Sequence, residues 1–391
     1  MATGFQVAQI GNYAADIDDI LIRRELFNDG TLWTWGRNNN GQLGDNTSVD
    51  KSSPIPQLYG GTNWKQVACG GYHNAVIKTD GTLWMWGRNV FNALGDNTSV
   101  DKSSPAVVTT GGKGGTDWKQ VAGGAYHTAA VKTDGTLWTW GYNAVGQLGD
   151  DTTVNKSSPV TTISGGTNWK QVASGSFHIS AIKTDGTLWT WGKDSYGQLG
   201  DNTTVHKSSP VTTFAGGTNW KQVAGGYGHT AAIKTDGTLW TWGMNSDGQL
   251  GNNTTVSTSS PVTTIAGGTN WKQVACGYYH TAAIKTDGTL WTWGYNLYGA
   301  LGDNTSVYKS SPVTTITGGT NWKQVSGGTF FSAAIKTDGT LWTWGRNDYG
   351  QLGDNTTLPK SSPANTILGG TNWKQVVCSY RHTVALTDLS I

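Results

Sequence analysis

Apolar and polar residues alternate along the chain in short segments separated by turns. Segments of about five residues, such as W-K-Q-V-A at 169–173 and T-L-W-T-W at 187–191, lie between stretches rich in Gly, Asp and Asn. Alternation with a period of two is typical of half-buried β-strands. The two Trp residues of T-L-W-T-W stand at i and i+2, so both project to one face of a sheet. The pattern predicts an all-β fold of short strands.

Two landmarks show that the pattern is an internal repeat. The first, W-K-Q-V, begins at Trp64, Trp118, Trp169, Trp220, Trp271, Trp322 and Trp373. The second, D-G-T-L-W-x-W-G, begins at Asp29, Asp80, Asp134, Asp185, Asp236, Asp287 and Asp338. The spacing is 51 residues, with one of 54 that follows from an insertion around residues 111–114. A β-type repeat of this length indicates a propeller or a solenoid.

Each repeat offers four strand candidates, which we name A to D. In the copy that begins at Trp169 they cover 169–173, 178–183, 187–191 and 210–214. The T-D-G-T turn between B and C is a hairpin signal, because Gly accepts a positive φ without steric cost.

The two ends of the chain complete each other. The chain enters the repeat at strand C, residues 32–35, and leaves it after strand B, residues 383–386. Pairing N-terminal strands C and D with C-terminal strands A and B removes exposed sheet edges. We therefore predict a seven-bladed β-propeller of four-stranded antiparallel blades over residues 28–391, preceded by an arm of residues 1–27 outside the repeats.

Composition and charge limit the possible functions. Charged residues are 13% of the chain, and the net charge of +2 is spread evenly over the repeats. Because nucleic-acid binding needs a concentrated positive field, we expect no nucleic-acid partner. No apolar run approaches the about 18 residues that span a bilayer, and residues 1–27 lack the pattern of a secretory signal. We expect no membrane insertion and, outside a virion, a cytoplasmic location.

Candidate catalytic and metal-ligating residues have simpler structural interpretations. Cys69, Cys276 and Cys378 share one repeat position that is Gly or Ser in the other copies, so the position requires a small residue; a Cys69–Cys378 disulfide is the alternative. Six copies carry an equivalent histidine, at His73, His127, His178, His229, His280 and His382. A ring of imidazoles could bind metal, but Phe331 fills the seventh position, so we predict hydrogen bonds to nearby backbone. No nucleophile elbow, phosphate loop or metal spacing occurs, and we predict no enzyme activity, cofactor or metal.

Several motifs resemble the regulator of chromosome condensation repeat family over about residues 28–388. They are the G-Q-L-G at 146–149 after W-G-Y-N at 140–143, the G-A-Y-H at 124–127, and the 51-residue period. Members include exchange factors for a nuclear GTPase, a plant ultraviolet-B receptor, secreted β-lactamase inhibitors and modules of ubiquitin ligases. The resemblance implies a propeller that binds proteins through loops on one face, but a fold does not settle a function. The photoreceptor's Trp-Arg-His-Thr motif has one counterpart, at 380–383, with Tyr380 in place of Trp.

Comparison of the seven copies shows where they differ. The T-D-G-T turn and strand C hardly vary, whereas variation collects after W-G, further into that loop, before the repeated His, and before K-S-S-P. In an up-and-down blade these places belong to the A–B and C–D connections, at one end of the ring. The alternative is neutral drift in exposed loops, but drift would also have changed the B–C turn.

Aromatic residues and Arg are favoured at binding hot spots, so we predict a partner-binding face. Its predicted residues are Arg37, Tyr72, Arg88, Phe91, Tyr126, Tyr142, Phe177, Lys193, Tyr196, Tyr227, Met244, Tyr279, Tyr295, Tyr298, Arg346, Tyr349 and Arg381.

Two functional hypotheses follow. The first is a non-enzymatic display scaffold in a bacteriophage virion, as a tail-fibre, tip or capsid-decoration protein, whose varied face contacts a receptor, a glycan or a neighbouring protein. It rests on the short leader before D-G-T-L-W-T-W-G, which resembles propellers carried by tailed bacteriophages, and residues 1–27 would then dock the ring onto the particle. The second is an intracellular regulator or inhibitor of a protein partner, as in the family.

Overall fold

A computed structural model describes residues 30–57, 59–110 and 113–388. Within this part of the chain, seven four-stranded antiparallel sheets follow one another around a ring, and the insertion adds a two-stranded sheet, Thr109–Thr110 with Lys113–Gly114. The predicted propeller is confirmed. The arm predicted at residues 1–27 lies outside the described residues. The described part contains no helix of a length and apolarity that would cross a membrane.

The blades are numbered by their C strands in chain order, so blade 1 contains Leu32–Gly36. The A strands are Trp373–Cys378 in blade 1, then Trp64–Cys69, Trp118–Gly123, Trp169–Ser174, Trp220–Gly225, Trp271–Cys276 and Trp322–Gly327. The B strands are His382–Thr387, His73–Lys78, His127–Lys132, His178–Lys183, His229–Lys234, His280–Lys285 and Phe331–Lys336. The C strands are Leu32–Gly36, Leu83–Gly87, Leu137–Gly141, Leu188–Gly192, Leu239–Gly243, Leu290–Gly294 and Leu341–Gly345. The D strands are Lys51–Pro56, Lys102–Val107, Lys156–Thr161, Lys207–Thr212, Thr258–Thr263, Lys309–Thr314 and Lys360–Asn365.

The prediction for strand D was wrong in its bounds. In blade 4 the strand runs over Lys207–Thr212 instead of 210–214. Lys207 pairs with Gly192, and an irregularity between Thr190 and Gly192 absorbs the shift in register. Pro210 therefore lies inside the strand. Proline cannot donate a hydrogen bond to a neighbouring strand, but strand D is the outer edge of its sheet and has no neighbour on that side.

Blade 1 closes the ring as predicted. Its strand order is D and C from the N-terminal part of the chain, then B and A from the C-terminal part, and Leu32 pairs with Leu386. The backbone N–H of Thr31 donates to Thr387 Oγ1 at 3.1 Å, across 356 positions of sequence. Apolar residues of blade 7 and blade 1 also share one buried cluster, which contains Phe331 and Trp35. The seam is packed like any other junction between blades.

Trp residues join neighbouring blades. In blade 4, Trp169 and Trp191 pack against Val131 and Leu137 of blade 3 in one buried cluster. The indole N–H of Trp191, which is completely buried, donates to Gln147 O of blade 3 at 3.0 Å. Truncation of a buried Trp to Ala typically costs about 3–5 kcal/mol, so these side chains dominate the cohesion of the ring.

The A strands surround the central channel, and their Gln side chains connect them. The amide of Gln324 donates to Val376 O at 3.0 Å, and its oxygen accepts the N–H of Val376 at 3.0 Å. Gln375 and Val67 form the same pair across the next junction. An A strand is an inner sheet edge, so the Gln of W-K-Q-V satisfies edge groups that would otherwise be open to strand pairing.

The B–C turns pack against the D–A connections at one end of the ring. Gly186 of the blade 4 turn has φ +82°, and a Cβ atom there would stand 2.0 Å from Thr218 O. The carbonyl of Gly186 also accepts the N–H of Trp220 at 3.0 Å. Asp185 closes the turn by accepting Thr187 N–H at 2.9 Å. This packing requires Gly and explains why the turn hardly varies between copies.

Candidate binding face at one mouth of the ring

Backbone hydrogen bonds join the A–B and C–D loops of each blade side by side. In blade 2 the N–H of Arg88 donates to Tyr72 O at 2.9 Å, and in blade 4 the N–H of Lys193 donates to Phe177 O at 2.9 Å. The position before K-S-S-P belongs to the same end, since Asp101 Oδ1 accepts the N–H of Asn89 at 2.7 Å. The structure thus brings together the places at which the copies differ; we call this end of the ring the loop face.

Aromatic side chains form a belt around the loop face. Tyr72 stacks on Tyr126 with ring centroids 5.4 Å apart, and Phe91 packs edge-on against Tyr126 at 4.9 Å. Ring contacts at 6.4 Å or less then continue through Tyr142, Phe177, Tyr227, Tyr279 and Tyr295. Aromatic pairs at such distances attract by about 0.5–1.5 kcal/mol beyond their burial. The belt therefore holds its own side chains in place before any partner arrives.

Cationic side chains lie over the rings of the belt. Arg88 lies 5.3 Å from the centroid of Tyr72, and Lys193 lies 5.5 Å from that of Phe177. At the seam between blades 7 and 1, Arg37 and Arg381 each lie 5.1 Å from the ring of Tyr349. Arg346 lies 5.0 Å from the ring of Tyr298 and pairs with Asp348. Cations on exposed rings contribute about 0.5–1 kcal/mol each and fix the direction of the charge.

The side chains predicted as site residues share one degree of burial. All seventeen are partly buried, and none is fully buried or fully exposed. Each of these side chains therefore keeps part of its surface open to solvent while its neighbours cover the rest. The face therefore offers rings and guanidinium groups whose conformations are already restricted, which lowers the entropy cost of binding.

One contact across the channel was not predicted. The hydroxyl of Tyr380 in blade 1 donates to Ser176 Oγ in blade 4 at 3.0 Å, and its ring packs against Tyr278 at 4.8 Å. Burial raises the pKa of Tyr380 well above its usual value. These side chains line a cavity of about 180 Å³ in the channel, whose other lining residues are mostly Gly, Ser and Cys of the A strands and A–B loops. A repeat alignment cannot show this contact, because it joins opposite sides of the ring.

Further face residues were missed although a signal existed. Phe330 stacks on Tyr279 at 5.5 Å with an interplanar angle of 14°, and it precedes the repeated His position like Phe177. A rim of aliphatic side chains, 60–72% exposed, lies at one position of the C–D loop that is Val in six copies and Leu in the seventh. Its members are Val49, Val100, Val154, Val205, Val256, Val307 and Leu358. Because this position changes only from Val to Leu, the differences between the copies do not reveal the rim.

The histidines lie directly beneath the loop face, and five of the six bond to a side chain of the next blade through Nε2. His127 is the exception, since neither of its ring nitrogens has a hydrogen-bond partner among the described residues. His178 Nε2 stands 2.9 Å from Thr230 Oγ1 of blade 5, and that hydroxyl donates to Gln198 O at 2.8 Å. Because the threonine proton is engaged, His178 must donate through Nε2. The partner is thus a side chain of the next blade, and the predicted bond to nearby backbone was wrong. Burial lowers the pKa of His178 to about 4, so the imidazole is neutral.

The cysteines do not form a disulfide. All three are free. Cys69 Sγ of blade 2 is directed toward Val377 O of blade 1, and Cys378 Sγ of blade 1 is directed toward Ser326 O of blade 7, so the two sulfurs point the same way around the ring. Burial raises the pKa of Cys378 to about 12. Among the described residues, no three His, Cys, Asp or Glu side chains are grouped as metal ligands would be.

Comparisons with known proteins agree with this architecture. The family model of the RCC1-like domain matches residues 25–271 and 114–390. The Ultraviolet-B receptor UVR8 of Arabidopsis thaliana is 34% identical over 290 residues, which are 72% of this chain and 64% of the receptor. The X-linked retinitis pigmentosa GTPase regulator homolog of Caenorhabditis elegans is 29% identical over 348 residues, 75% of this chain and 24% of that protein.

A solved structure shows the same fold. Prp20p from Saccharomyces cerevisiae, described together with its binding to Gsp1p and histones, superposes with a TM-score of 0.80 at 20% identity. The superposition covers 93% of this chain and 94% of the yeast chain.

Proposed function

Because the chain belongs to the family of RCC1-like domains, we propose that it is a binding module that docks a protein partner on the loop face. One observation carries the proposal. The side chains that differ most between blades form a pre-ordered, half-open belt of aromatic and cationic groups at one mouth of a rigid ring. Partly exposed aromatic and Arg side chains held by their neighbours are typical of binding hot spots.

The relatives favour the regulator hypothesis over the virion hypothesis. They are described as a receptor and as a GTPase regulator, and the yeast structure as that of a protein that binds Gsp1p and histones. The virion location, a glycan ligand and a docking role for residues 1–27 find no support among these relatives and stay predictions. The matched region is 64% and 24% of the two curated relatives, so their whole activities are not transferred to this chain.

Light perception is not part of the proposal. The site residues include no Trp, and Tyr380 stands where the photoreceptor's motif has Trp. The second Trp of each T-L-W-T-W segment, such as Trp191, is buried between blades as a packing group.

The chemistry of the face defines the expected partner. Five cations, Arg37, Arg88, Lys193, Arg346 and Arg381, surround or cover the aromatic rings, and only Arg346 has a carboxylate partner within ion-pair distance among the described residues. We therefore expect a protein surface with apolar side chains at its centre and carboxylates near its edge.

Site-specific crosslinking tests the proposal. A photoreactive phenylalanine analogue replaces Tyr196 on the loop face or, as the control, Phe214, which is 68% exposed at the opposite end. In cells of the source organism, we expect the Tyr196 probe to crosslink a discrete protein and the Phe214 probe not to.

The triple variant Tyr196→Ala, Tyr298→Ala and Tyr349→Ala should then weaken the affinity of that purified protein at least ~30-fold. The matched control is Ile163→Ala, Phe214→Ala and Ile265→Ala, which removes exposed apolar groups at the other end and should leave the affinity unchanged. Equal affinity of wild type and the tyrosine triple, with both folded, would place the partner elsewhere.

A further inference from the structure

An asparagine at the start of the C–D loop holds that loop together in six of the seven blades. In blade 3 the amide nitrogen Nδ2 of Asn143 lies 3.0 Å from Asp150 Oδ1, 3.1 and 3.2 Å from the carbonyl and hydroxyl oxygens of Thr152, and 3.2 Å from Val154 O. Its Oδ1 accepts the N–H of Leu148 at 2.9 Å. Four oxygens thus surround one nitrogen. We call this arrangement the loop cage.

The same amide donates within the cage of five other blades. These residues are Asn38, Asn89, Asn245, Asn296 and Asn347. In blade 4 the position is Asp194, whose Oδ1 still accepts the N–H of Leu199 at 2.9 Å. The amide nitrogen of the other cages is therefore replaced by a carboxyl oxygen, Oδ2, which has no proton to give when Asp194 is ionised.

Among the described residues, Asp194 Oδ2 has one donor within hydrogen-bond distance, and that bond is long. The Asp194 side chain is completely buried. The hydroxyl oxygen of Thr203 lies 3.4 Å away, but Thr203 has a single hydroxyl proton and Asp201 Oδ1 is the nearer acceptor, at 2.7 Å. A buried carboxylate oxygen that faces other oxygens is costly unless a positive charge lies between them.

Among the described residues, no cationic side chain forms an ion pair with Asp194. Lys193, the preceding residue, lies over the rings of Phe177 and Tyr227. Lys207 Nζ pairs with Asp201 Oδ2 at 3.2 Å, as the equivalent Lys does in other blades. His206 Nδ1 accepts the backbone N–H of Asp194 at 3.0 Å, so that nitrogen carries no proton. Burial, the largest cause, together with the nearby Asp201 raises the pKa of Asp194 to about 7.

We infer that the blade 4 loop binds one hard divalent cation of the Ca²⁺ class between Asp194, Asp201 and the backbone carbonyls of the loop. Carboxylate and carbonyl oxygens completed by water are the ligands that Ca²⁺ takes in proteins. Only two carboxylates take part, which is why neither spacing nor clustering of acidic residues reveals the site. The inference departs from the prediction of no metal, and it does not depend on the proposed binding face.

The rival occupant is a proton on Asp194. A proton supplies one hydrogen bond, whereas the amide of Asn143 faces four acceptors. A cation satisfies several oxygens at once, whereas a single proton leaves the remaining oxygens facing one another, so the cation accounts better for this cage.

Calcium binding to the full chain, freed of metal with a chelator, tests the inference. Calorimetry should give one Ca²⁺ per chain for wild type and none for Asp194→Asn, which restores the cage of the other blades. The melting temperature of wild type should rise by roughly 2–5 °C at Ca²⁺ about 100-fold above Kd, while that of Asp194→Asn stays constant. Mg²⁺, which demands stricter geometry, should give a smaller rise. Asn143→Asp, if it folds, should add a second site.

Two results would overturn the inference. One is an equal response of wild type and Asp194→Asn to Ca²⁺. The other is a wild type that ignores Ca²⁺ yet loses melting temperature relative to Asp194→Asn as the pH rises from 6 to 8, which would assign the cage to a proton.

Discussion

The two ends of the ring are built by the same seven blades, yet they tolerate sequence change very differently. At the end formed by the B–C turns, backbone packs on backbone, and Gly186 leaves no room for a Cβ atom beside Thr218 O. At the loop face, side chains pack on side chains, as Tyr72 does on Tyr126. The B–C turn is therefore constant for a structural reason. Its constancy is not evidence against neutral drift in the A–B and C–D loops. The case for binding rests on what the loop face displays.

The largest predicted effect is that of acid on the free energy of unfolding. It acts through the buried histidines beneath the loop face. Burial lowers the pKa values of six histidines from 6.5 to about 3 or 4. Their stabilising contribution is full above pH 6.5 and is lost as the pH falls toward 4, because only the unfolded chain then takes up protons. Each histidine lowers the free energy of unfolding by up to about 1.4 kcal/mol for every pH unit of acidification in this range. Urea unfolding should therefore show a steep loss of unfolding free energy between pH 6.5 and 4.

Asp194 changes stability with pH in the opposite direction, and the variant His178→Phe measures the contribution of a single histidine. The raised pKa of Asp194 makes its contribution fall as the pH rises toward 7, but one group is outweighed by six. His178→Phe copies Phe331, which is buried at the same position of blade 7, and should reduce the slope by up to about 1.4 kcal/mol per pH unit. A stability that is flat from pH 7 to 5 would contradict the assignment of neutral, buried imidazoles.

The same substitution at the two ends should have unequal effects. Gly186→Ala at the constant end forces a Cβ atom against Thr218 O at positive φ and should cost about 3 kcal/mol. Gly228→Ala on the loop face meets Cδ2 of the Tyr196 side chain at 2.7 Å, and a side chain can move, so the cost should stay below about 1 kcal/mol. Denaturant unfolding of both variants measures the difference. Similar costs would remove the contrast between the ends.

The smallest effect should come from two lysines. Lys183, near the B–C turn, lies 4.7 and 4.6 Å from the rings of Trp169 and Trp189, whereas Lys193 on the loop face lies 5.4 Å or more from its rings. Lys183→Met should cost about 1 kcal/mol and Lys193→Met about 0.5 kcal/mol or less. Lys193→Met should weaken partner binding and Lys183→Met should not. The reverse order of binding effects would place the partner at the constant end.

The sequence predicts the ring well because its seven copies repeat every determinant of the blade. The Trp pairs, the Gly turn and the phase of the two ends specify strands, junctions and closure. The bounds of strand D were predicted wrongly because Pro210 suggests the start of a strand. An outer edge strand accepts proline in its interior.

The candidate sites depend on contacts between blades, which repeat position alone does not define. Tyr380 reaches Ser176 across the channel, and His178 reaches Thr230 in the next blade. Asp194 was visible in the sequence as a single Asn-to-Asp difference between copies. Its meaning emerged only with the four acceptors around the equivalent Asn143.

The shared construction of blade 1 has a consequence for synthesis on the ribosome. Strands C and D of this blade emerge first, and their partners, Trp373–Cys378 and His382–Thr387, emerge more than 300 residues later. Until then the nascent chain is an open arc with two unpaired flanks, one exposing Trp64 and Trp86 and the other Phe331 and Leu352. We expect chaperones to bind these flanks during translation. Slow translation of residues 373–387 should prolong the interval in which two unfinished arcs can join end to end and aggregate.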